Sequence, residues 1–259
     1  MIHWNPPFLR IRISTLRHPV RLQQNALAKA LFAGISSSYD RWAEVFSLFQ
    51  YRYWRASLLA GLRPQPGERI LDVSTGTGAV ALDLAGKGCL VVGLDLSRDM
   101  LREALRRLGS GCPVHLTASR LALVEGRAED LPFPNAAFDA VTFTFLLRYV
   151  ADPLQPMREI SRVLRVGGRV AMLEFAIPRF PVTCVLWSFY VSTLLPVLTR
   201  LVSPAWGEVG AFLGGSIDEF YRRYPLADLT ADWQEAGFRN VRFRHLSAGG
   251  ALVVFAEKG

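Results

Sequence analysis

The sequence predicts an α/β domain built on a mainly parallel sheet, and three observations carry that expectation. Short apolar runs alternate with helix-forming stretches from residue 69 to residue 176, the pattern that places helices on both faces of a parallel sheet. The stretch Arg69-Ile-Leu-Asp-Val-Ser-Thr-Gly-Thr-Gly-Ala79 ends an apolar run in a carboxylate, follows it with a glycine turn and then starts a helix. A second apolar run, Cys89 to Leu94, also ends in an acid, Asp95. This is the sequence form of a β-α-β nucleotide-binding unit. The glycines let the backbone approach a ligand, and the second acid accepts from a ribose diol.

The elements follow in chain order. Residues 1–30 read as a basic extension. Residues 31–62 carry Leu31, Phe32, Ile35, Tyr39, Trp42, Val45, Phe46 and Phe49 at helical spacing, predicting one or two N-terminal helices that stop before Pro64 and Pro66. Strands are expected at 69–73, 89–95, 121–126, 138–145 and 169–176. Helices are expected at 79–86, 97–108 and 152–165, with Gly167-Gly168 turning the last of these into its strand. The piece from Gly109 to Leu121 reads as a surface insertion. The segment 178–223 interrupts the alternation with a helical lid whose first part, Pro178 to Val202, is strongly apolar. As a membrane span that part is poor, because Arg179 and Arg200 bracket an interior holding Pro181, Pro196, Thr183 and Thr193. It reads as a pocket wall, an in-plane membrane contact or a core helix. Helix 227–236 and strands 239–246 and 251–257 close the chain, the last two as an antiparallel hairpin about Ala248-Gly-Gly250. The expected architecture is a Rossmann-like, seven-stranded, mostly parallel sheet occupying residues 31–259.

Composition narrows the function classes. With 51% apolar residues the chain has ample material for one core. Cys89, Cys112 and Cys184 lack metal-ligand spacing, and the four histidines form no H-x-x-x-H pair, so no protein-bound metal is expected. The net charge of +8 is uneven: Arg10, Arg12, Arg17, Arg21 and Lys29 all precede the first acid, Asp40, leaving about +3 on the remainder. The basic arm is open to three readings: a solvated extension, a contact with an anionic membrane surface, or an organelle transit segment. No basic stripe runs through the core and no nucleic-acid methylation motif occurs, which argues against a nucleic-acid partner.

The glycine spacing Gly76-x-Gly78-x-x-Ala81 does not by itself choose the nucleotide. Asp72 does, since an acid ahead of the glycines repels a pyrophosphate and suits a cation. A ligand with a ribose, a positive charge and no phosphate is S-adenosylmethionine. The expected site lies at the carboxyl ends of the strands: Asp72 to Gly78, Asp95, Gly126 to Pro134, and Phe143 to Arg148.

These blocks resemble the class I methyltransferases and, more narrowly, the demethylmenaquinone/2-polyprenyl-benzoquinol C-methyltransferase family of quinone biosynthesis. Phe32-Ala-Gly-Ile-Ser-Ser-Ser-Tyr-Asp40 is similar to that family's F-x-x-I-A-x-x-Y-D, and Leu71 to Gly78 to its L-D-x-A-T-G-T-G. Ala128-Glu-Asp-Leu-Pro-Phe-Pro134, Phe138-Asp-Ala-Val141 and Leu147-Arg148 resemble A-E-x-L-P-F-P … F-D … L-R-N. Phe189-Tyr190, Leu195-Pro196 and Ala236-Gly237-Phe238 resemble its lid and last helix. The resemblance implies S-adenosyl-L-methionine as cofactor and a prenylated quinol as the hydrophobic acceptor. It assigns Thr77 to the turn contact, Asp95 to the ribose, Arg127 and Ala128 to the adenine edge and Thr144 to the methionine end. Arg148 stands where the family arginine helps deprotonate the quinol through ordered water, with Tyr39 as a second hydrogen-bonding partner. It further implies a cytoplasmic protein, peripheral at the membrane, with a homo-oligomer among the states left open.

Departures fall mostly on the acceptor side. Tyr149 replaces the asparagine after the arginine, Ala79 replaces an aspartate, Arg127 stands where relatives place a polar or acidic adenine contact, and 42–44 and 47–51 differ from the pattern. Alternatives therefore remain at this point: a methyltransferase for another hydrophobic small molecule, with O-, N- or tocopherol/sterol-type chemistry, or a non-catalytic S-adenosylmethionine-binding assembly protein.

Overall fold

The structure is a computed structural model and describes residues 29–109, 120–226 and 228–259. Most of the basic extension and of the insertion expected after Gly109 lie outside the described residues. Seven strands form one sheet: β1 (Arg69–Val73), β2 (Leu90–Asp95), β3 (Leu121–Glu125), β4 (Phe138–Thr144), β5 (Leu164–Phe175), β6 (Phe238–Leu246) and β7 (Ala251–Lys258). Their order is β3-β2-β1-β4-β5-β7-β6. The first five are parallel, and β7 runs antiparallel between β5 and β6. The chain builds outward from β1 to β3 and then crosses back to β4, so the strand order reverses between β1 and β4. The carboxyl ends of β1, β2 and β4 therefore flank the crevice in which open α/β sheets bind ligands.

Alternation along the strands feeds two apolar layers, as a period of two requires. Leu71, Val73, Val141, Phe143 and Val254 pack with Met157, Ile160 and Trp233 on one face. Ile70, Ala140, Leu173 and Val253 pack with Leu58, Leu62, Val80 and Leu84 on the other. The first layer uses α5 (Leu154–Val163) and α9 (Leu229–Glu235); the second uses α2 (Tyr51–Leu62) and α3 (Ala79–Gly86). Burying each large side chain of these layers stabilises the fold by about 1.5–3 kcal/mol. The shorter α1 (Tyr39–Phe46) precedes α2, and α4 (Arg98–Gly109) follows β2. Leu48 and Phe49, both at positive φ (55° and 62°), turn the chain between α1 and α2.

Two boundaries differ from the sequence reading. The helix expected to end at Arg165 ends at Val163, and β5 begins at Leu164. Leu164 already pairs with Phe138, and an irregularity before the Ala140–Arg169 pair absorbs Gly167 at φ 71°. The glycines thus bend a long strand instead of separating helix from strand.

The lid is a helical hairpin. Helices α6 (Pro181–Phe189) and α7 (Leu195–Val202) are joined without a break by a π-helical turn, Tyr190–Leu194, giving one helix of 22 residues. Ser203 Oγ accepts from the Trp206 amide at 3.2 Å and caps α8 (Pro204–Arg223), which folds back along the first helix. Contact is close because α8 presents glycine there: a Cβ at Gly210 would stand 2.0 Å from Thr199 Oγ1. Val191, Leu195 and Thr199 face this seam and are buried, whereas Val182, Val185, Leu186, Phe189 and Leu201 are exposed.

Candidate functional site

A cavity of about 100 Å³ opens where the sheet topology places it. Its walls are the turn after β1, the end of β2, the turn after β3 and the end of β4, with Phe32 and Tyr39 closing over it from the N-terminal segment. Gly76 (φ 56°) and Gly78 (φ 78°) take left-handed backbone that favours glycine. A side chain at 76 would meet nothing within 4 Å, so backbone there faces open space, while one at 78 would press on Ala104 at 3.1 Å. Asp95 is buried on the wall, its Oδ2 accepting from the Gly76 amide at 2.7 Å and its Oδ1 from the Ser97 amide at 2.8 Å. Burial raises its pKa, and those backbone donors oppose the rise. Thr77, Arg127, Ala128 and Thr144 also line this cavity.

Asp72 departs from the sequence reading. It is buried behind the turn and is not a wall residue of the cavity. Both its oxygens are taken by hydroxyl donors, Thr75 Oγ1 at 2.6 Å and Thr142 Oγ1 at 2.7 Å. Burial pushes its pKa up to about 6 against those hydrogen bonds. These bonds order the glycine turn from beneath, and Asp72 makes no direct wall contact with the cavity. The Thr77 hydroxyl is likewise engaged, donating to Asp40 Oδ1 at 2.9 Å. Arg107 Nη1 reaches Asp40 Oδ2 at 2.6 Å and Thr77 Oγ1 and carbonyl oxygen at 3.1 Å each. This network fastens the segment carrying Tyr39 to the glycine turn.

A second cavity, of about 230 Å³, adjoins the first and has a largely apolar wall that includes Phe46, Trp54, Phe175, Trp187, Val191 and Leu213. Phe32, Tyr39, Tyr51, Phe145 and Tyr149 belong to both walls. Arg148 lines this second cavity and not the first. Its Nε donates to Glu174 Oε1 at 2.9 Å and its Nη1 to Ser216 Oγ at 2.8 Å. The guanidinium carbon lies 5.1 Å from the Tyr149 ring centre and 5.2 Å from that of Phe175. Burial works against the Arg148 charge, yet the Glu174 carboxylate outweighs it and holds the pKa above the ordinary arginine value. Burial also raises Tyr39 and Tyr149, which keeps both hydroxyls protonated at neutral pH.

The profile of the ubiE/COQ5 methyltransferase family matches residues 20–258. The chain belongs to that family. Among its relatives is a protein of Clavibacter sepedonicus named demethylmenaquinone methyltransferase, 35% identical over 221 residues that span 85% of each chain. Another, of Geotalea daltonii, is named ubiquinone/menaquinone biosynthesis C-methyltransferase UbiE; it is 34% identical over 232 residues, 88% of this chain and 94% of that one. Solved structures share the fold. A SAM-dependent methyltransferase from Aquifex aeolicus superposes with a TM-score of 0.55 at 16% identity over 79% of this chain and 89% of that one. Phosphoethanolamine N-methyltransferase 2 of Haemonchus contortus, solved with S-adenosyl-L-methionine, gives 0.56 at 16% identity, covering 79% of this chain and 52% of that one.

Within this ubiE/COQ5 methyltransferase the sequence reading missed two carboxylates. Glu129 is buried on the wall of the first cavity, two residues beyond Arg127, where it offers an acceptor that Arg127 lacks. Glu174 is fully buried beside Arg148. A signal for Glu174 was present: like Asp72 and Asp95 it stands at or next to the carboxyl end of a central parallel strand. Its pairing with Arg148, 26 residues away, was not legible.

Proposed function

We propose that this methyltransferase transfers a methyl group from S-adenosylmethionine to a ring carbon of a prenylated quinol, of demethylmenaquinol or polyprenyl-benzoquinol type. The carrying observation is the apolar second cavity, which shares five side chains with the first and has one guanidinium on its wall. S-adenosylmethionine supplies the methyl as an electrophile on a sulfonium. The lining of the first cavity suits it, and the cavity, about 100 Å³ here, must widen to take it. Asp95 is an acceptor for the ribose diol, the open Gly76 backbone takes close approach, and Ala128, Leu96 and Met100 offer an apolar slot for the adenine. Thr144 lies towards the methionine end, with Arg127 at the adenine edge.

The chain's part in the chemistry is alignment and charge. Tyr39 and Tyr149, on the shared wall, orient the acceptor ring between the two cavities. Arg148 cannot accept a proton at ordinary pH. It stabilises the phenolate left when an ordered water takes the ring hydroxyl's proton, an electrostatic contact that contributes several kcal/mol. The phenolate raises electron density at the neighbouring ring carbon; once methylated, that carbon gives up its own hydrogen to water and the phenolate is reprotonated. Tyr39, protonated through burial, donates to the same oxygen.

The second cavity is smaller than the ~300 Å³ at which pockets begin to enclose a drug-sized ligand. A long prenyl chain must therefore leave it. Leu48 lines it and is 62% exposed beside Phe49, and the Tyr190 hydroxyl joins the lid to the Phe46 carbonyl at 2.7 Å. The exit is thus continuous with the exposed apolar face of the 181–202 helix, whose mean hydropathy is 1.7. Because the opposite face of that helix packs on α8, the geometry supports a lid resting in the membrane surface over a cytoplasmic body.

Extraction of lipid quinones from cells with and without the gene tests the reading. Accumulation of a ring-demethylated quinone is expected in its absence, and which ring accumulates decides the acceptor. An unchanged quinone pool would reject quinol methylation.

A further inference from the structure

Arg148 is one end of a buried ion pair, and its partner has no part in the chemistry described so far. Both side chains are 1% exposed. Glu174 Oε1 accepts from Arg148 Nε at 2.9 Å and also from the Phe175 backbone amide at 2.9 Å. One carboxylate oxygen is thereby fixed to the strand's own backbone, so the direction of the guanidinium is set by the sheet. Among the described residues, the guanidinium's hydrogen bond to the lid is that from Nη1 to Ser216 Oγ. The other oxygen, Oε2, is buried without a hydrogen-bond partner. Buried carboxylate oxygens are seldom left unpartnered, and one in this position calls for an explanation.

We infer that Glu174 is a positioning residue for methyl transfer: it aims the Arg148 fork at the acceptor and, through its uncompensated second oxygen, offsets part of the Arg148 charge at the acceptor oxygen. This rests on the reading that Arg148 stabilises the acceptor's phenolate. A lone buried guanidinium would repel a cationic methyl donor in the adjoining cavity. Paired with Glu174 it is close to neutral until the phenolate forms, so donor and arginine coexist on either side of the shared wall. The titratable groups facing the pair are Tyr149 beside Arg148, Tyr39 from α1 and Tyr221 from α8, whose hydroxyl donates to the Phe175 carbonyl at 2.6 Å. Burial raises all three above the ordinary tyrosine value, so they stay neutral and Arg148 and Glu174 set the charge of this wall.

The test is single-turnover methyl transfer to the prenylated quinol identified by the extraction experiment, measured against pH. Wild type is compared with Glu174→Gln, Glu174→Asp and Arg148→Lys, with S-adenosylhomocysteine affinity reporting an intact cofactor site. Glu174→Gln keeps the shape but removes the negative charge, so the acceptor ionises more readily. The acid limb of the rate profile is expected to move down by about one pH unit, the low end of the shift one nearby charge produces. Glu174→Asp keeps the charge but withdraws the carboxylate by one methylene. The limb is expected to stay in place while the rate falls about 10- to 100-fold, as a misplacement on the order of 1 Å does. An unmoved limb in Glu174→Gln together with an unchanged rate in Glu174→Asp would overturn the inference. Should Glu174→Gln fail to fold, the Glu174→Asp rate decides alone. If Arg148→Lys keeps the wild-type rate and limb, the quinol-activation reading itself fails. If Arg148→Lys is slow while both Glu174 variants match wild type, only the role of Glu174 is lost.

Discussion

Arg148 and Asp95 belong to different cavities, and their substitutions should separate accordingly. Asp95→Ala is expected to weaken S-adenosylmethionine binding by about 1.5–3 kcal/mol, the range for hydrogen bonds to a charged group. Arg148→Ala should lower turnover ~10²-fold or more, the effect of one lost electrostatic donor. Its cofactor affinity should stay within about threefold, roughly 0.6 kcal/mol. The buried pair adds a second expectation: Arg148→Ala strands Glu174, so its melting temperature should fall well below that of Arg148→Lys. Calorimetry and kinetics on the same preparations would expose a failure of either assignment. Asp72 gives a pH signature. Its folded pKa, about 6, lies above an unfolded value of ~3.9, so the folded chain binds this proton more tightly. The stabilisation is whole below about pH 4 and is lost as pH rises through 6, a change on the order of 3 kcal/mol. Asp72→Asn should therefore gain stability relative to wild type between pH 4 and 7 in urea titrations, and a constant difference would disprove this. At this scale Asp95 was legible from its type and strand-end position, whereas the roles expected of Thr77 and Arg148 came from the family resemblance. Asp95 and Thr77 stand on the wall of the first cavity and Arg148 on that of the second. The sequence did not show that Asp72 lies off the cavity wall, because only packing brings the Thr75 and Thr142 hydroxyls onto its carboxylate.

Elements were more legible than their joints. Every strand expected from alternating or continuous apolar runs is present, because the central strands are buried on both faces and hydropathy records that directly. The start of β5 escaped, since the pairing of Leu164 with Phe138 is a decision of the neighbouring strand. In the lid, the apolar content of 178–202 was plain, but its fold into a hairpin depends on contact between distant glycines and Thr199. That contact is testable. Gly210→Ala would place a methyl 2.0 Å from Thr199 Oγ1 and should destabilise the protein by about 1–3 kcal/mol, as overpacking does. Gly215→Ala, on the same helix with nothing within 4 Å of the new Cβ, should be neutral or slightly stabilising. Equal melting temperatures for the two variants would remove the seam from the account.

For the whole molecule, the sequence reading reached the seven-stranded sheet and the strand ends at which the first cavity opens, because strand order and crossover rules leave few alternatives. The junction of two cavities was out of reach, since it is made by Phe32, Tyr39, Tyr51, Phe145 and Tyr149, drawn from four separate stretches of chain. The exposed apolar face makes a prediction at this scale. Replacing Val185 and Leu186, 68% and 63% exposed, with serine should reduce sedimentation with lipid vesicles by at least about tenfold, a loss of ~1.4 kcal/mol from two partly immersed side chains. Deleting residues 1–28 should reduce the preference for anionic vesicles while leaving cofactor affinity unchanged. Equal recovery of all three proteins in the supernatant would refute the membrane contact. The shared wall carries a last consequence. A ligand that repositions any of these five side chains alters the site of the other, and the two bindings are then thermodynamically linked. Linkage is reciprocal: whatever factor the demethylated cofactor product exerts on acceptor affinity, the acceptor exerts on the release of that product. A cell's store of unmethylated quinol would then help set how strongly this protein is inhibited by its own by-product.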